Sequence, residues 1–403
     1  MSEAASFLSS QYYLNPYPTL REMQKESGIV FSEQINAWIV TSYDLVEEGL
    51  HSDLFNASER MTVAASHFSA EERKQYSEII TVLNNWIVFQ DPPNHTRLRR
   101  LISKSFTPRT VAALEPEIEK VVAELLDTAK KKESFDLVSE FAFHLPAAVI
   151  CILLGIPLEA KSNLKRWSDG VAGFSANARV TSEQAAHANA MALEAKEYLF
   201  ALFAELRKNP GENLLSKLLL IEDEDSRLTD EELVGMSIQL FFAGFETTEG
   251  LIGNMVLALA RNPLEEEKLR SNPDLIEKTV EEALRYDSSI LKQSRVASVD
   301  TVFGGVNIKK GDYLHFMIAA ANRDPLKFTN PNSFDIARED QGHLSFGHGI
   351  HFCIGGPLAR LEARVALRQL LQRFSGFETL SEKVDYPEIF AIRKPKKLLI
   401  KNK

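Results

Sequence analysis

The sequence predicts a mainly α-helical protein with small peripheral β-sheets, on three observations. First, Thr229-Asp230-Glu231-Glu232 has the form of a capping box, and no proline follows until Asn262-Pro263. The helix between them would hold about 33 residues, roughly 50 Å long at 1.5 Å per residue. Second, from Ala112 to Lys208 one helical pattern follows another, with breaks expected at Pro146, at Pro157 and around Ser175 to Ser182. Third, the β-like runs are short. They are Ile29-Val30-Phe31 and Ala37 to Thr41 near the N-terminus, then Val302 to Ile308, Tyr313 to Ala319 and Leu398-Leu399-Ile400.

Composition narrows the classes. The chain has 403 residues, 44% hydrophobic and 25% charged, with a formal net charge of −10. That balance describes a globular protein and argues against nucleic acid as a partner. No segment reads as a linker, a repeat or low complexity, so residues 1–403 are expected to form one domain. Cys151 and Cys353 are the two cysteines, too few for a disulfide framework and suited to a reducing compartment. Met1 to Leu20 lacks a basic stretch leading into an apolar core, so no leader is expected. The longest apolar run, Leu145 to Leu158, is too short to span a bilayer and contains Pro146, Gly155 and Pro157. A cytoplasmic location is the expectation.

The chemistry centres on Leu344-Ser345-Phe346-Gly347-His348-Gly349-Ile350-His351-Phe352-Cys353-Ile354-Gly355-Gly356-Pro357. Its glycines free the backbone for sharp turns. Pro357 suits the first turn of a helix, continued by Leu358, Leu361, Val365, Leu370 and Leu371. Cys353 thus precedes a helix N-terminus, where free N–H groups favour a thiolate. A lone cysteine is most often a buried structural residue, so its neighbours decide. The pattern Phe-x-x-Gly-x-His-x-Cys-x-Gly resembles the haem-binding loop of the cytochrome P450 superfamily, in its soluble bacterial form. That resemblance implies the P450 fold, with haem b between the long helix and this loop. It also implies Cys353 as the iron ligand, Phe346 and Gly355 beside the sulfur, and His351 facing a haem propionate.

Three further stretches match the same family. Asp91-Pro92-Pro93-Asn94-His95-Thr96-Arg97-Leu98-Arg99 resembles its propionate-binding helix, with His95 and Arg99 one turn apart on one face. Ala243-Gly244-Phe245-Glu246-Thr247-Thr248 sits in the apolar middle of the long helix and resembles the oxygen-activation motif. An acid and two hydroxyls there cost energy unless partnered or used. The resemblance implies Glu246 and Thr247 as the catalytic acid–alcohol pair at a widened turn, with Ala243 and Gly244 letting ligand approach. Glu282-Ala283-Leu284-Arg285 resembles the Glu-x-x-Arg ion pair, with Arg338 as third partner, and Arg295 matches another propionate-binding residue. One departure is Ser289, where the family usually has proline.

Residues Asn56 to Val88 read as an irregular binding loop or lid. Trp86 and Ile87 from it, Phe242, and Ile290 and Leu291 before Arg295 are the candidate substrate-pocket residues. The implied activity is insertion of one oxygen atom from O2 into an apolar small molecule of secondary-metabolite, terpenoid or fatty-acyl type. The sequence carries no dinucleotide fingerprint or second cysteine cluster. Electrons would therefore come from a ferredoxin or flavodoxin with an NAD(P)H-dependent reductase. Arg97, Arg100, Arg360 and Arg364 are expected to form its basic docking patch. A peroxide-driven haem enzyme and a non-catalytic haem-binding protein are the alternatives.

Overall fold

The capping box at Thr229 forms. The Glu232 carboxylate accepts from the Thr229 N–H at 2.9 Å, and the Thr229 hydroxyl accepts from the Glu232 N–H at 3.2 Å. It starts a 32-residue helix, Asp230–Arg261, whose first turn carries Asp230, Glu231 and Glu232 where the helix dipole favours acids. Asn262 ends it, and Pro263 opens the next helix, Pro263–Ser271. This computed structural model describes residues 9–177, 180–223, 226–381 and 383–402. Part of the Met1–Leu20 stretch and the middle of the Ser175–Ser182 break lie outside the described residues.

The chain folds as two compact units. One comprises the chain up to Phe55, Glu115–Pro146 and everything from Glu246 onward. The other comprises Asn56–Leu114 and Ala147–Phe245.

The second unit is helical. Its longest element after the break, Ser182–Lys208, begins with a capping box between Thr181 and Gln184. Its buried residues, Ala185, Ala188, Ala192, Ala195, Leu199, Phe203 and Leu206, repeat every three or four positions, so they form one stripe. The alanines keep that stripe low, and the Lys161–Ser175 helix packs along it. Here the expectation of an irregular segment at Asn56–Val88 is corrected. The segment folds into Arg60–Ala64, Ala70–Gln75 and Ser77–Asn84, followed by a 3-10 turn at Ile87–Phe89. A capping box between Ser69 and Glu72 was its overlooked signal. Pro146 does not break the chain either, because it falls in the first turn of His144–Leu154, where proline is tolerated.

The first unit holds a five-stranded sheet in the order Ile29–Ser32, Ala37–Val40, Tyr313–Phe316, Gln293–Ala297 and Phe55–Asn56. The first two strands are the two expected N-terminal β-like runs, paired antiparallel with Ile29 opposite Val40. The run Tyr313–Ala319 stays extended only to Phe316, and Ile318–Ala321 is a helical turn. Val302–Ile308 is a hairpin turning at Gly304 and Gly305, both at positive φ. Leu399–Asn402 pairs with Ser134–Asp136, a strand too short to show in the sequence. Among the helices of this unit are Glu115–Ala129, Ile276–Tyr286 and Gly356–Arg373. The last packs on both others, and Arg373 reaches Asp127 at 2.9 Å.

Candidate active site

Cys353 lies three residues before the 18-residue helix Gly356–Arg373, and its N–H donates to the Phe346 carbonyl at 2.9 Å. That bond closes the loop. Gly347 and Gly349 stand at φ +72 and +69, a region L side chains rarely adopt. A Cβ on Gly349 would lie 2.8 Å from the Leu50 carbonyl oxygen, so only glycine permits this approach. His351 is buried in the 3-10 turn Gly349–His351, while Cys353 is half-buried. A Cβ at Gly355 would lie 3.9 Å from the Cys353 sulfur, an ordinary contact. Cys151 differs: it is fully buried, and burial pushes its thiol up to about 11. Arg295 is also in this unit, on the strand Gln293–Ala297 opposite Leu314. It is 2% exposed and donates to the Ser294 carbonyl at 2.8 Å.

In the other unit, the Asn94–Ser105 helix starts after Pro93 as expected, with His95 buried and Arg99 half-buried on one face. Asp91, which the sequence did not single out, accepts the N–H groups of Ala57 and Ser58 at 2.8–3.1 Å and ties the preceding loop down. Of the pocket candidates in this unit, Trp86 and Phe242 meet with ring centroids 5.3 Å apart. The Ile87 N–H donates to the Gln239 side chain at 2.7 Å. Trp86 and Ile87 are buried, and Phe242 keeps some accessible surface.

The long helix is buried along most of its middle, yet one row stays accessible. Leu240, Gly244 and Thr247 are half-buried and Ala243 is exposed, spaced as one helical face. One expectation fails here. The helix is α-helical from Asp230 to Arg261, with no widened turn at Thr247. At Gly244 a Cβ would lie 2.3 Å from Ile150 Cδ1. The glycine admits Ile150.

Glu246 is 1% exposed, and its partner was not foreseen: Lys394 Nζ lies 2.5 Å from Glu246 and 2.9 Å from Glu249. Burial disfavours the ammonium, but the two carboxylates outweigh it and hold Lys394 above its ordinary value. Lys394 arrives on a ribbon. Ile290 bridges to Ile392, the Leu291 N–H donates to Ala391 at 2.9 Å, and the Arg393 N–H donates to Ser289 at 2.8 Å. Ser289 packs over Gly250, where a Cβ would lie 2.8 Å from its hydroxyl. Ile290 is half-buried and Leu291 buried in that ribbon.

Glu282, Arg285 and Arg338 come together, with Arg285 Nε at 2.7 Å and Arg338 Nε at 3.1 Å from the Glu282 carboxylate. The basic docking patch fares worse. Arg97 pairs with Glu232, Arg360 with Glu281 at 2.7 Å, and Arg364 with Glu277 at 2.6 Å. Burial works against the Glu281 carboxylate, but His343 and Arg360 hold it down to about 2. Three of the four arginines therefore carry an acid of their own chain, and the patch is much less basic than its sequence suggests.

The family model for cytochrome P450 matches residues 15–401. The chain belongs to the cytochrome P450 family, which makes it an oxidoreductase of the monooxygenase class. It is 37% identical over 402 residues to the biotin biosynthesis cytochrome P450 of Bacillus subtilis, covering 98% of each chain. It is 38% identical over 376 residues to the cytochrome P450 monooxygenase PikC of Streptomyces venezuelae, covering 91% of this chain and 85% of that one. The crystal structure of P450BioI in complex with acyl carrier protein ligated to hexadec-9Z-enoic acid superposes with a TM-score of 0.91 at 35% identity, covering 98% and 99% of the two chains.

Family membership implies a haem, and the residues present fit one. Among the described residues no group of three or more His, Cys, Asp or Glu side chains could hold a metal ion. A single half-buried cysteine such as Cys353 would suit a metal that brings its other ligands with it. The buried donors Arg295 and His351 suit the carboxylates of such a group.

Proposed function

We propose that the protein is a haem b monooxygenase, both units serving one catalytic domain, that inserts one atom of O2 into an apolar small molecule. The observation that carries this is Cys353, half-buried at the head of a helix in a glycine-shaped loop. The haem, when bound, supplies the reduction of O2, which no side chain can perform. Cys353 is its ligand, with Phe346 and Gly355 beside the sulfur. His95, Arg99, Arg295 and His351 neutralise its propionates. Thr247 holds a proton at its hydroxyl on the accessible row of the long helix, with Ala243 and Gly244 on the same row. Glu246 passes protons to it. Trp86, Ile87, Phe242, Ile290 and Leu291 shape the substrate pocket.

For the substrate we favour a fatty-acyl or similarly apolar biosynthetic molecule. The structural relative just described is bound to an acyl chain on a carrier protein, and another, CYP267B1, is in complex with myristic acid. Electrons come from a ferredoxin or flavodoxin served by an NAD(P)H-dependent reductase. Thr247→Ala should keep fold and substrate binding yet divert electrons into hydrogen peroxide. Product formed per NAD(P)H consumed is the measurement, with peroxide assayed alongside. Full coupling in that variant would exclude the role of Thr247. Equal turnover on peroxide alone would favour a peroxide-driven enzyme. Arg295→Ala and His351→Ala should each weaken haem retention by about 1–3 kcal/mol, read as faster haem loss to an acceptor protein.

A further inference from the structure

Glu246 and Glu249 are three residues apart on the long helix, so they share a face, and both are buried, at 1% and 5% exposure. Two carboxylates side by side away from water repel one another and lose hydration. The ammonium of Lys394 lies against both, 2.5 Å from Glu246 and 2.9 Å from Glu249. Its main chain is fixed. Asn254 Nδ2 donates to the Arg393 carbonyl at 3.1 Å, and the Arg393 N–H donates to Ser289 at 2.8 Å. A Cβ on Gly253 would lie 3.0 Å from Pro395 Cδ, so the segment after Lys394 is seated directly on the helix.

The neighbouring charges are engaged elsewhere. Arg393 bonds Asp287 at 2.6 Å and lies 3.7 Å over the Tyr386 ring, while Tyr17 donates its hydroxyl to Asp287 at 2.6 Å. A carboxylate pinned to an ammonium cannot take up and hand on a proton until that contact loosens. Glu249 offers the ammonium a second seat at the same spot.

We propose that Lys394 is a positioning residue for Glu246, and that Glu249 receives its ammonium when Glu246 turns toward Thr247. This rests on the reading of Glu246 as the acid that passes protons to Thr247. Glu249 keeps the displaced ammonium paired while Glu246 turns carrying the proton it is to pass on, so neither group is left as a bare buried charge. The device was invisible in the sequence except for Gly250 and Gly253, which make way for the ribbon.

The test is infrared spectroscopy of the whole protein with pH titration, joined to kinetics. Burial already pushes the Glu362 carboxyl well above its ordinary value, so one protonated-carboxyl band belongs to the unmodified protein. In Lys394→Met, a second protonated-carboxyl band should appear at neutral pH, absent from the unmodified protein and abolished by adding Glu246→Gln. The sign follows from removing an opposite charge: Glu246 then binds its proton at higher pH. The acid limb of the kcat profile should move up in pH with it. Lys394→Arg should restore both. A folded Lys394→Met protein with no second band, or a second band that survives Glu246→Gln, overturns the proposal. Glu249→Gln serves if Lys394→Met does not fold. It leaves the ammonium on Glu246, so kcat should fall about tenfold with KM unchanged, a one-unit effect on a free-energy scale. An unaltered kcat there overturns the second seat. If the infrared result holds but the Lys394→Met pH profile stays put, Lys394 positions Glu246 and the proton-relay reading is the one that fails.

Discussion

Cys353→Ser is expected to abolish the red-shifted Soret band that reduced, carbon monoxide-treated haem-thiolate protein shows. The serine hydroxyl matches the thiol in position but is far less acidic, so it gives no soft anionic ligand at neutral pH. The loop itself should survive the change. Its closure depends on the Cys353 N–H bond to Phe346 and on Gly347 and Gly349, none of which uses the sulfur. Cys151→Ala is the control. That thiol is buried and neutral, and its loss should cost about 2 kcal/mol or less of stability without touching the spectrum. A thiolate-type band retained in Cys353→Ser would show that the sulfur is not the ligand.

The sequence showed the long helix almost to its ends, because its signals are local: a capping box at Thr229, acids in the first turn, and Asn262-Pro263 as the stop. The alanine stripe of Ser182–Lys208 is likewise a local periodicity. What escaped was either very short or set by partners distant in the chain. The strand Ser134–Asp136 has three residues and exists because Leu399–Asn402 lies beside it. The helices between Arg60 and Asn84 have five to eight residues each, too few to show a period above their polar neighbours.

The candidate site divides in the same way. Motif residues such as Cys353, Arg295 and Glu282 carry their pattern within a few positions. Their partners do not. Lys394 meets Glu249 across 145 residues of sequence, and nothing around Lys394 marks it. At Gly244 the sequence records that something comes close without showing that Ile150 is one such neighbour. The arginine patch failed for a related reason, since a sequence counts charges and Glu277, Glu281 and Glu232 cancel them in space.

Glu282→Gln is expected to destabilise the protein by about 3–5 kcal/mol, a large part of the 5–15 kcal/mol that folded domains have to lose. The carboxylate accepts from Arg285 Nε at 2.7 Å and Nη2 at 2.8 Å, from Arg338 Nε at 3.1 Å and from the Asp335 N–H at 2.9 Å. Removing its charge leaves the Arg285 guanidinium, 2% exposed, without its anion, and the Arg338 guanidinium, 6% exposed, with only Asp340 at 3.5 Å. The damage should reach the Cys353 loop. Arg285 also donates to the carbonyls of Asn322, Pro331 and Ser333. Asn322 in turn accepts the Leu344 N–H at 2.7 Å and donates to Ser345 at 2.8 Å, at the start of that loop. Chemical denaturation measures the loss, with the haem spectrum followed in parallel. Arg285→Lys should also lose stability, since an ammonium cannot span both carboxylate oxygens and three carbonyls. Replacing all three charges by apolar residues of similar size should cost less than Glu282→Gln alone, because no buried charge is then left unmatched. A Glu282→Gln protein within about 1 kcal/mol of the parent would place the triad among the weak surface pairs, and its burial would then need another explanation.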